Sequence, residues 1–197
     1  PLSRRDLPYK GFFMFLFTFT MMFNGGMIPD YILLKDLKMI DTMWALMIPG
    51  AINVFNLIIA RTFLMGSIPT ALLEASQIDG CSDARYFFSI VLPLAKPVMA
   101  VITLYYAVAH WNNYFSAFLY LNTPEKFPLQ LILREILIAN SMDTSMVVDL
   151  ALSEQQQGLA DLLKYSLIIV SSAPVLIMYP FVKKFFVKGV MIGSIKG

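Results

Sequence analysis

The side chains that could do chemistry in this sequence are mostly amides and aromatics placed inside long apolar stretches. Six of them can form hydrogen bonds there: Asn53, Asn56, His110, Asn112, Asn113 and Tyr114. Such groups either line a path for a polar solute or bond to neighbouring helices, and the sequence leaves both interpretations open. His110 has no carboxylate near it, so no acid–base pair is indicated. The single cysteine, Cys81, excludes an internal disulfide and a cysteine-based metal cluster.

A second group of polar residues lies in the stretch 67–93, which is predicted to fold as helix, turn and helix. Its boundaries rest on residues that commonly begin or end helices: Ser67 as an N-cap, Pro69 in the first turn, Gly80 as the stop, Ser82 or Asp83 as the second cap, and Pro93 at the start of the next segment. Glu74 and Asp79 have no histidine or cysteine nearby, so neither metal binding nor acid–base catalysis is indicated. A rigid knob of this kind suits docking rather than catalysis.

The composition shows what kind of protein must position these groups. Apolar residues make up 58% of the 197 residues and charged residues only 14%. Soluble domains average about 45–50% apolar and about 25% charged residues, so a cytosolic enzyme, a nucleic-acid binder and a disordered chain are all disfavoured. The net charge of +2 is too small to indicate binding to an oppositely charged partner. An integral membrane protein is the interpretation that remains.

Four long stretches without charge predict four membrane-spanning helices. They are Gly11–Pro29, Thr42–Ala60, Pro97–Pro124 and Tyr165–Val182. A helix needs about 20 residues to cross the hydrocarbon core, and the continuous apolar runs favour helices over barrel strands. Pro49 and Pro174 are expected to kink their helices, and Asn24-Gly25-Gly26 to loosen the outer end of the first span.

Charge placement predicts the orientation. Residues 1–10, 61–96 and 183–197 hold ten Lys or Arg against four acids, whereas residues 30–41 and 125–164 hold five against nine. The positive-inside rule places the first group of segments, with both ends of the chain, in the cytoplasm.

The loop carries a specific resemblance. Glu74-Ala75-Ser76, three residues, Gly80, nine residues and then Ile-Val-Leu-Pro at 90–93 follow one another. This order resembles the signature of the membrane subunits of binding-protein-dependent ABC importers, in which Glu-Ala-Ala is followed at the same spacing by Gly and Ile-x-Leu-Pro. The departure is Ser76, which stands where a second alanine is usual.

The resemblance implies an all-α bundle like the type I ABC importer transmembrane domain. The chain is expected to form one permease domain over residues 1–197, with four of six spans present, two N-terminal spans missing, and 67–93 as the cytoplasmic coupling loop. It implies that this loop docks on the ATPase through Glu74, Ala75, Ser76, Asp79 and Gly80. The sequence has no phosphate-binding glycine-rich loop with lysine, so ATP and Mg are expected on the partner ATPase and the chain itself is not an enzyme.

The resemblance also implies partners and a location. The partners are a dimer of cytoplasmic ABC ATPases, a second permease subunit in a heterodimer, an extracytoplasmic solute-binding protein facing residues 122–158, and the lipid of a bacterial inner membrane. No nucleic acid is expected.

The third span, with its motif from His110 to Tyr114, resembles the carbohydrate (maltose-type) group, and within it permeases for oligosaccharides, including alginate-like polymers. Because sugars offer hydroxyls and flat C–H faces, the six polar residues are the candidate substrate path. A permease for a non-sugar solute and an ion-driven secondary transporter are the alternatives. An intramembrane enzyme lacks the required residue pairs.

Overall fold

The computed structural model describes residues 2–4, 6–143, 162–180 and 183. Throughout these parts of the chain the regular structure is helical, and the predicted all-α class is confirmed. The α-helices are α1 (Lys10–Met22), α2 (Met27–Asp36), α3 (Trp44–Met47), α4 (Val54–Ser67), α5 (Thr70–Ile78), α6 (Asp83–Tyr86), α7 (Leu92–Leu94), α8 (Lys96–Trp111), α9 (Phe115–Tyr120), α10 (Leu129–Asp143) and α11 (Leu162–Pro180). A π-helical segment, Phe87–Val91, joins α6 to α7, and a 3-10 turn, Pro124–Lys126, precedes α10.

The chain forms two compact units, each assembled from segments distant in sequence. The first contains Pro1–Asp30 and Gly50–Ala107, and the second contains Tyr31–Pro49 and Val108–Phe181. The first unit therefore holds α1, α4 and the loop 67–93. The second holds the turn between α2 and α3 together with α9, α10 and α11.

The second unit has the clearer apolar core among the described residues. Leu34, Ala45 and Tyr120 form one buried cluster, and the Tyr120 ring stacks on Tyr31 at 6.3 Å between centroids. Ala117, Leu121 and Leu131 form another. Turns and short helices of the unit are thus held by packing between residues far apart in the sequence.

Only α11 is, by itself, long and apolar enough to cross a membrane among the described residues. Three bent pairs also meet the length and composition test when each is taken as one span: α1 with α2 at 110°, α4 with α5 at 72°, and Asp83–Leu94 with α8 at 79°. Aromatic side chains of α1 such as Phe12 and Phe15 are exposed, as expected for a helix covered by lipid or by other helices.

Three of the predicted spans are wrong as continuous helices. The first, Gly11–Pro29, is divided into α1 and α2. Thr42–Ala60 is interrupted between Ile48 and Asn53, where Pro49 and Gly50 stand, and the helix that follows continues past Ala60 to Ser67. Proline lacks the amide proton that an uninterrupted helix needs, so the chain breaks rather than kinks there. Pro97–Pro124 is likewise divided into α8 and α9.

The break after α1 agrees with the expected loosening at Asn24-Gly25-Gly26. Gly26 has a φ of 92°, in the left-handed region that favours glycine, and its amide donates to Oδ1 of Asn24 at 2.8 Å. Pro174, by contrast, lies inside α11, which runs as one helix.

Two predicted boundaries of the loop are also wrong. Ser67 is the last residue of α4, and Pro69 occupies the N-cap position of α5. Ile68 is extended because the residue before a proline is forced out of the helical region. Pro93 lies within α7 instead of opening the next helix, and the π-helical turn comes immediately before it, where its missing amide proton and its ring disrupt the helical bonding pattern.

Candidate functional site

The turn after α5 is a complete helix-capping motif built around Gly80. The amide of Cys81 donates to the carbonyl of Ser76 at 2.9 Å, and the amide of Gly80 donates to the carbonyl of Gln77 at 3.0 Å. These two bonds, with Gly80 at a φ of 69°, define the Schellman arrangement that satisfies the last carbonyls of a helix. The helix end predicted from Gly80 therefore has a physical cause.

The second helix of the loop starts as the sequence predicts. The Ser82 hydroxyl accepts a hydrogen bond from the amide of Arg85, so Ser82 rather than Asp83 is the N-cap. The two caps stand two residues apart, and the direction of the chain between α5 and α6 is set by short local bonds.

The five candidate coupling residues fall into two classes. Ser76 is buried and its hydroxyl donates to the carbonyl of Leu73 at 2.7 Å, so this position supports the helix. The other four are exposed: Glu74, Ala75, Asp79 and Gly80. Four exposed positions around one capped helix end form a surface that another molecule can reach.

Ile78 is a residue that sequence reasoning missed. It is 87% exposed, at the end of α5 and directly before Asp79. A large apolar side chain in that position favours a site that is covered in an assembly. The available signal was its place between Glu74 and Gly80, two of the residues that carry the resemblance.

Charged side chains fix the residues before α1 to this region of the first unit. Arg4 donates from Nη1 to Oδ1 of Asp83 at 2.7 Å and from Nε to Oδ1 of Asp6 at 2.9 Å. The guanidinium lowers the pKa of the Asp6 carboxyl below its usual value through this hydrogen bond. In turn, Asp6 and then Asp83 raise the pKa of Arg4.

Two of the candidate path residues, Asn53 and Asn56, belong to the first unit. They do not share one helical face, because Asn53 is the N-cap of α4 and accepts a hydrogen bond at Oδ1 from the amide of Asn56 at 3.1 Å. The Asn53 amide donates to the hydroxyl oxygen of Tyr106 at 3.0 Å, and that hydroxyl donates to the carbonyl of Ala51. Asn53 is exposed and Asn56 is buried. Their clearest structural role is to start α4.

The other four path residues lie in the second unit, around the break between α8 and α9. Asn112 donates from Nδ2 to the carbonyl of Val108, and Asn113 accepts at Oδ1 from the amide of Ser116. His110 and Tyr114 are exposed. The Asn112 side chain thus bonds at the end of α8 and the Asn113 side chain bonds at the start of α9. The two asparagines therefore stabilise the break between these helices.

Tyr114 has a further neighbour that the sequence did not indicate. The Arg134 guanidinium lies 5.4 Å from the centre of the Tyr114 ring and 5.2 Å from that of Phe118. A cation over ring faces is favourable, and arginine is the commoner cation in such contacts. The contact fastens α10 to the start of α9.

Asp41 organises a junction that sequence reasoning also missed. Its carboxylate accepts from the amides of Asn122 and Thr123, from the Thr123 hydroxyl at 2.6 Å and from Nζ of Lys126 at 2.9 Å. The Asp41 amide donates to the carbonyl of Tyr120 at 2.8 Å. These donors, with the Thr123 hydroxyl first, hold the pKa of the Asp41 carboxyl well below its usual range. The donors to the Asp41 carboxylate lie more than 80 residues from it in sequence, so no local pattern signals the junction.

Among the described residues no group of three or more metal-ligating side chains comes together. Residues 144–158 of the stretch expected to face a solute-binding protein, and residues 184–197 of the segment assigned to the cytoplasm, lie outside the described residues.

Comparison with known proteins places these features in a family. Residues 7–192 match the model of the family described as "Binding-protein-dependent transport system inner membrane component". The chain is 48% identical to the polygalacturonan/rhamnogalacturonan transport system permease protein YtcP of Bacillus subtilis, over all of this chain and 68% of that protein. It is 42% identical to Protein LplC of the same organism, over all of this chain and 65% of that protein.

A solved structure is similar as well. A crystal structure of a bacterial ABC transporter involved in the import of the acidic polysaccharide alginate matches with a TM-score of 0.78 and 33% identity, over 94% of this chain and 65% of that chain. The chain thus spans about two thirds of the length of these relatives. The fold is that of the type I ABC importer transmembrane domain. On these grounds the chain belongs to the family of binding-protein-dependent transport system inner membrane components.

Proposed function

We propose that this chain is a permease subunit of an ATP-driven oligosaccharide importer and that it couples to the ATPase through the loop 67–93. The observation that carries the proposal is the capped end of α5, where Glu74, Asp79 and Ile78 are exposed beside a fixed turn. Both carboxylates can pair with cations of a partner, and the apolar side chain can enter a pocket. Because the turn is rigid, movement of a bound partner is passed to the helices that flank it.

This proposal also assigns a role to each partner subunit. Cytoplasmic ATPase subunits bind ATP and Mg and hydrolyse the nucleotide, whereas this chain is not catalytic. A second permease subunit, in a heterodimer, supplies the other half of the translocation path. A solute-binding protein delivers the oligosaccharide from the opposite side of the inner membrane.

The contacts within each unit support the sidedness predicted from charge. Residues 1–10 and 61–96 were assigned to one side, and Arg4 bonds to Asp83 within the first unit. Residues 30–41 and 125–164 were assigned to the other side, and Asp41 bonds to Lys126 within the second unit. The positive-inside rule makes the first side cytoplasmic.

The proposed substrate class rests on relatives and on side-chain chemistry. One relative is named for polygalacturonan and rhamnogalacturonan, and the similar structure for the acidic polysaccharide alginate. Aromatic rings and amides suit sugar faces and hydroxyls, and Tyr114 is exposed with the cation of Arg134 against its ring. Oligosaccharides, with uronate-containing ones first, are the substrates to test.

The coupling proposal is tested by reversing the charge of Glu74. Glu74→Lys in the intact transporter should abolish co-purification of the ATPase and solute uptake, because the exposed carboxylate would be replaced by a repelling cation. Glu135→Lys is the matched control, since Glu135 is also an exposed helical glutamate but lies on α10. Unchanged ATPase association in Glu74→Lys would count against the docking surface.

The substrate proposal is tested with a panel of solutes. Stimulation of ATP hydrolysis by the cognate solute-binding protein is measured with oligogalacturonides, neutral oligosaccharides, peptides and amino acids. Stimulation by an oligosaccharide supports the assignment. Stimulation by peptides or amino acids alone identifies a permease for a non-sugar solute. Uptake that follows an ion gradient without ATP would identify the secondary-transporter alternative.

A further inference from the structure

The residues before α1, here called the lead segment (residues 2–4 and 6–9), are bonded to α6 within the loop 67–93. The bond is the one between Arg4 Nη1 and Asp83 Oδ1, at 2.7 Å. Asp83 is the first residue of α6, immediately after the capped turn of the loop. The same guanidinium also bonds to Asp6. Arg4 therefore makes one bond within the lead segment and one bond to the loop.

The lead segment is also bonded to the helix that enters the loop. Arg61 of α4 donates from Nε to the carbonyl oxygen of Leu2 at 3.1 Å. Lys10, the first residue of α1, donates from Nζ to the carbonyl of Arg4 at 3.4 Å. The lead segment therefore connects the start of α1 with α4, which enters the loop, and with α6 inside the loop.

A cavity of about 650 Å³ lies within the first unit, between the lead segment and the loop. Leu64, Leu73, Tyr86 and Phe87 contribute apolar wall, while Arg4 and Asp83 belong to the lining as well. Because the space beside the ion pair is not filled by side chains, the pair is a discrete link between two elements rather than part of a packed core.

We propose that Arg4 is a positioning residue whose bond to Asp83 transmits displacement of the loop to α1. The inference rests on the proposed coupling function and extends it, because the signature residues of the loop account only for docking. Arg4 lies outside those residues, and in the sequence it stands 79 positions from its partner.

The exposure of the Arg4–Asp83 ion pair indicates that the pair suits transmission of loop movement better than stabilisation of the fold. The side chain of Arg4 is 26% exposed and that of Asp83 is 74% exposed. Ion pairs of this kind contribute little to folding stability. They can still bias an element between two positions, since a small free energy is enough to shift such a balance by about two- to fivefold.

The test compares a probe on the loop with a probe on α1 in the intact transporter. The loop probe is a fluorophore on Cys81, the single cysteine of the chain. The α1 probe is the same fluorophore on Gly11→Cys in a Cys81→Ser background, since Gly11 is exposed and nothing lies within 4 Å of a Cβ built there. ATP with vanadate drives the conformational change, and the emission shift of each probe is measured.

In the unaltered chain both probes should respond. In Arg4→Asp and in Asp83→Arg the Cys81 response should persist, while the Gly11→Cys response falls by about two- to fivefold. The double variant with both substitutions restores the ion pair in reverse and should restore the α1 response. Arg85→Glu is the control, because Arg85 is exposed on the same short helix and forms no ion pair with any described residue.

Each result has a distinct meaning. An α1 response that survives both single substitutions, or one that the reversed pair fails to restore, overturns the positioning role of Arg4. A loop probe that ignores ATP and vanadate in the unaltered transporter contradicts the coupling function on which the inference rests.

Discussion

Gly80 shows how one backbone angle determines the shape of the loop. Its φ of 69° is unfavourable for residues with a Cβ, whereas no atom lies within 4 Å of a Cβ built on it. Gly80→Val should therefore lower the free energy of unfolding by about 1–2 kcal/mol through backbone strain alone. Gly80→Asn should cost less, because asparagine tolerates the left-handed region. Chemical denaturation of the detergent-solubilised permease measures both.

Gly66 supplies the control for this prediction. It lies inside α4 with open space around its Cβ position and no positive φ. Gly66→Ala should leave stability unchanged or raise it by up to about 1 kcal/mol, since alanine is the better helix former. Equal losses for Gly80→Val and Gly80→Asn would show that backbone strain is not the cause.

Residue-scale prediction from the sequence succeeded where the physical cause is local. Gly80 and Ser82 act through bonds to residues within five positions of themselves, and residue type together with position in the sequence is enough to locate them. Asn53 and Asn113 were candidates for a solute path, and each also accepts a bond from a backbone amide three residues ahead. Asparagine serves both purposes, so the residue type alone could not separate a cap from a ligand.

At the scale of elements, Asp41 joins the turn before α3 to the segment before α10. Asp41→Asn keeps the shape of the side chain and removes its charge, so it should lower the thermal midpoint at pH 7. The pKa of Asp41 in the folded state is below its unfolded value. Its contribution is thus complete above the unfolded pKa of about 3.9 and is lost as the pH falls through the folded pKa. The difference in thermal midpoint between the unaltered protein and Asp41→Asn should be constant from about pH 6 to 8. It should disappear only below about pH 4.

Asp36→Asn is the matched control for that measurement. Asp36 is exposed at the end of α2, and it has no ion pair among the residues that the structure describes. Its substitution should leave the midpoint close to that of the unaltered protein across this pH range. A gap for Asp41→Asn that widens in acid would contradict the assigned direction of the pKa shift.

Helix boundaries were the least predictable elements, and prolines account for most of the differences. Absence of charge indicated an unbroken span over Thr42–Ala60, but Pro49 interrupts it. Pro69 was expected in a first turn and is instead the N-cap of α5. Pro93 was expected to open the next segment and lies in α7, directly after a π-helical segment. Hydropathy indicates which segments can lie in a membrane. It does not indicate where a proline ends a helix, because that depends on which backbone carbonyls lose their hydrogen-bond donor.

At the scale of the whole molecule, the exposed apolar side chain of Ile78 is the feature that most clearly predicts contact with a partner. An isoleucine that is 87% exposed at a capped helix end loses contact with water only if another molecule covers it. Ile78→Ser should therefore leave the fold intact and weaken ATPase association by about tenfold or more, as expected for an apolar anchor at an interface centre. Association is measured by titrating purified ATPase onto the permease in nanodiscs.

Ile132 offers the matched control, because it is a partly exposed isoleucine, at 40%, on α10 of the other unit. Ile132→Ser should leave ATPase affinity unchanged while removing the same apolar side chain from the protein. If Ile78→Ser binds the ATPase as tightly as the unaltered chain while Glu74→Lys does not, the docking face is electrostatic and the apolar anchor is wrong. If neither variant loses affinity, the capped end of α5 does not contact the ATPase, and another surface of the first unit must carry the coupling.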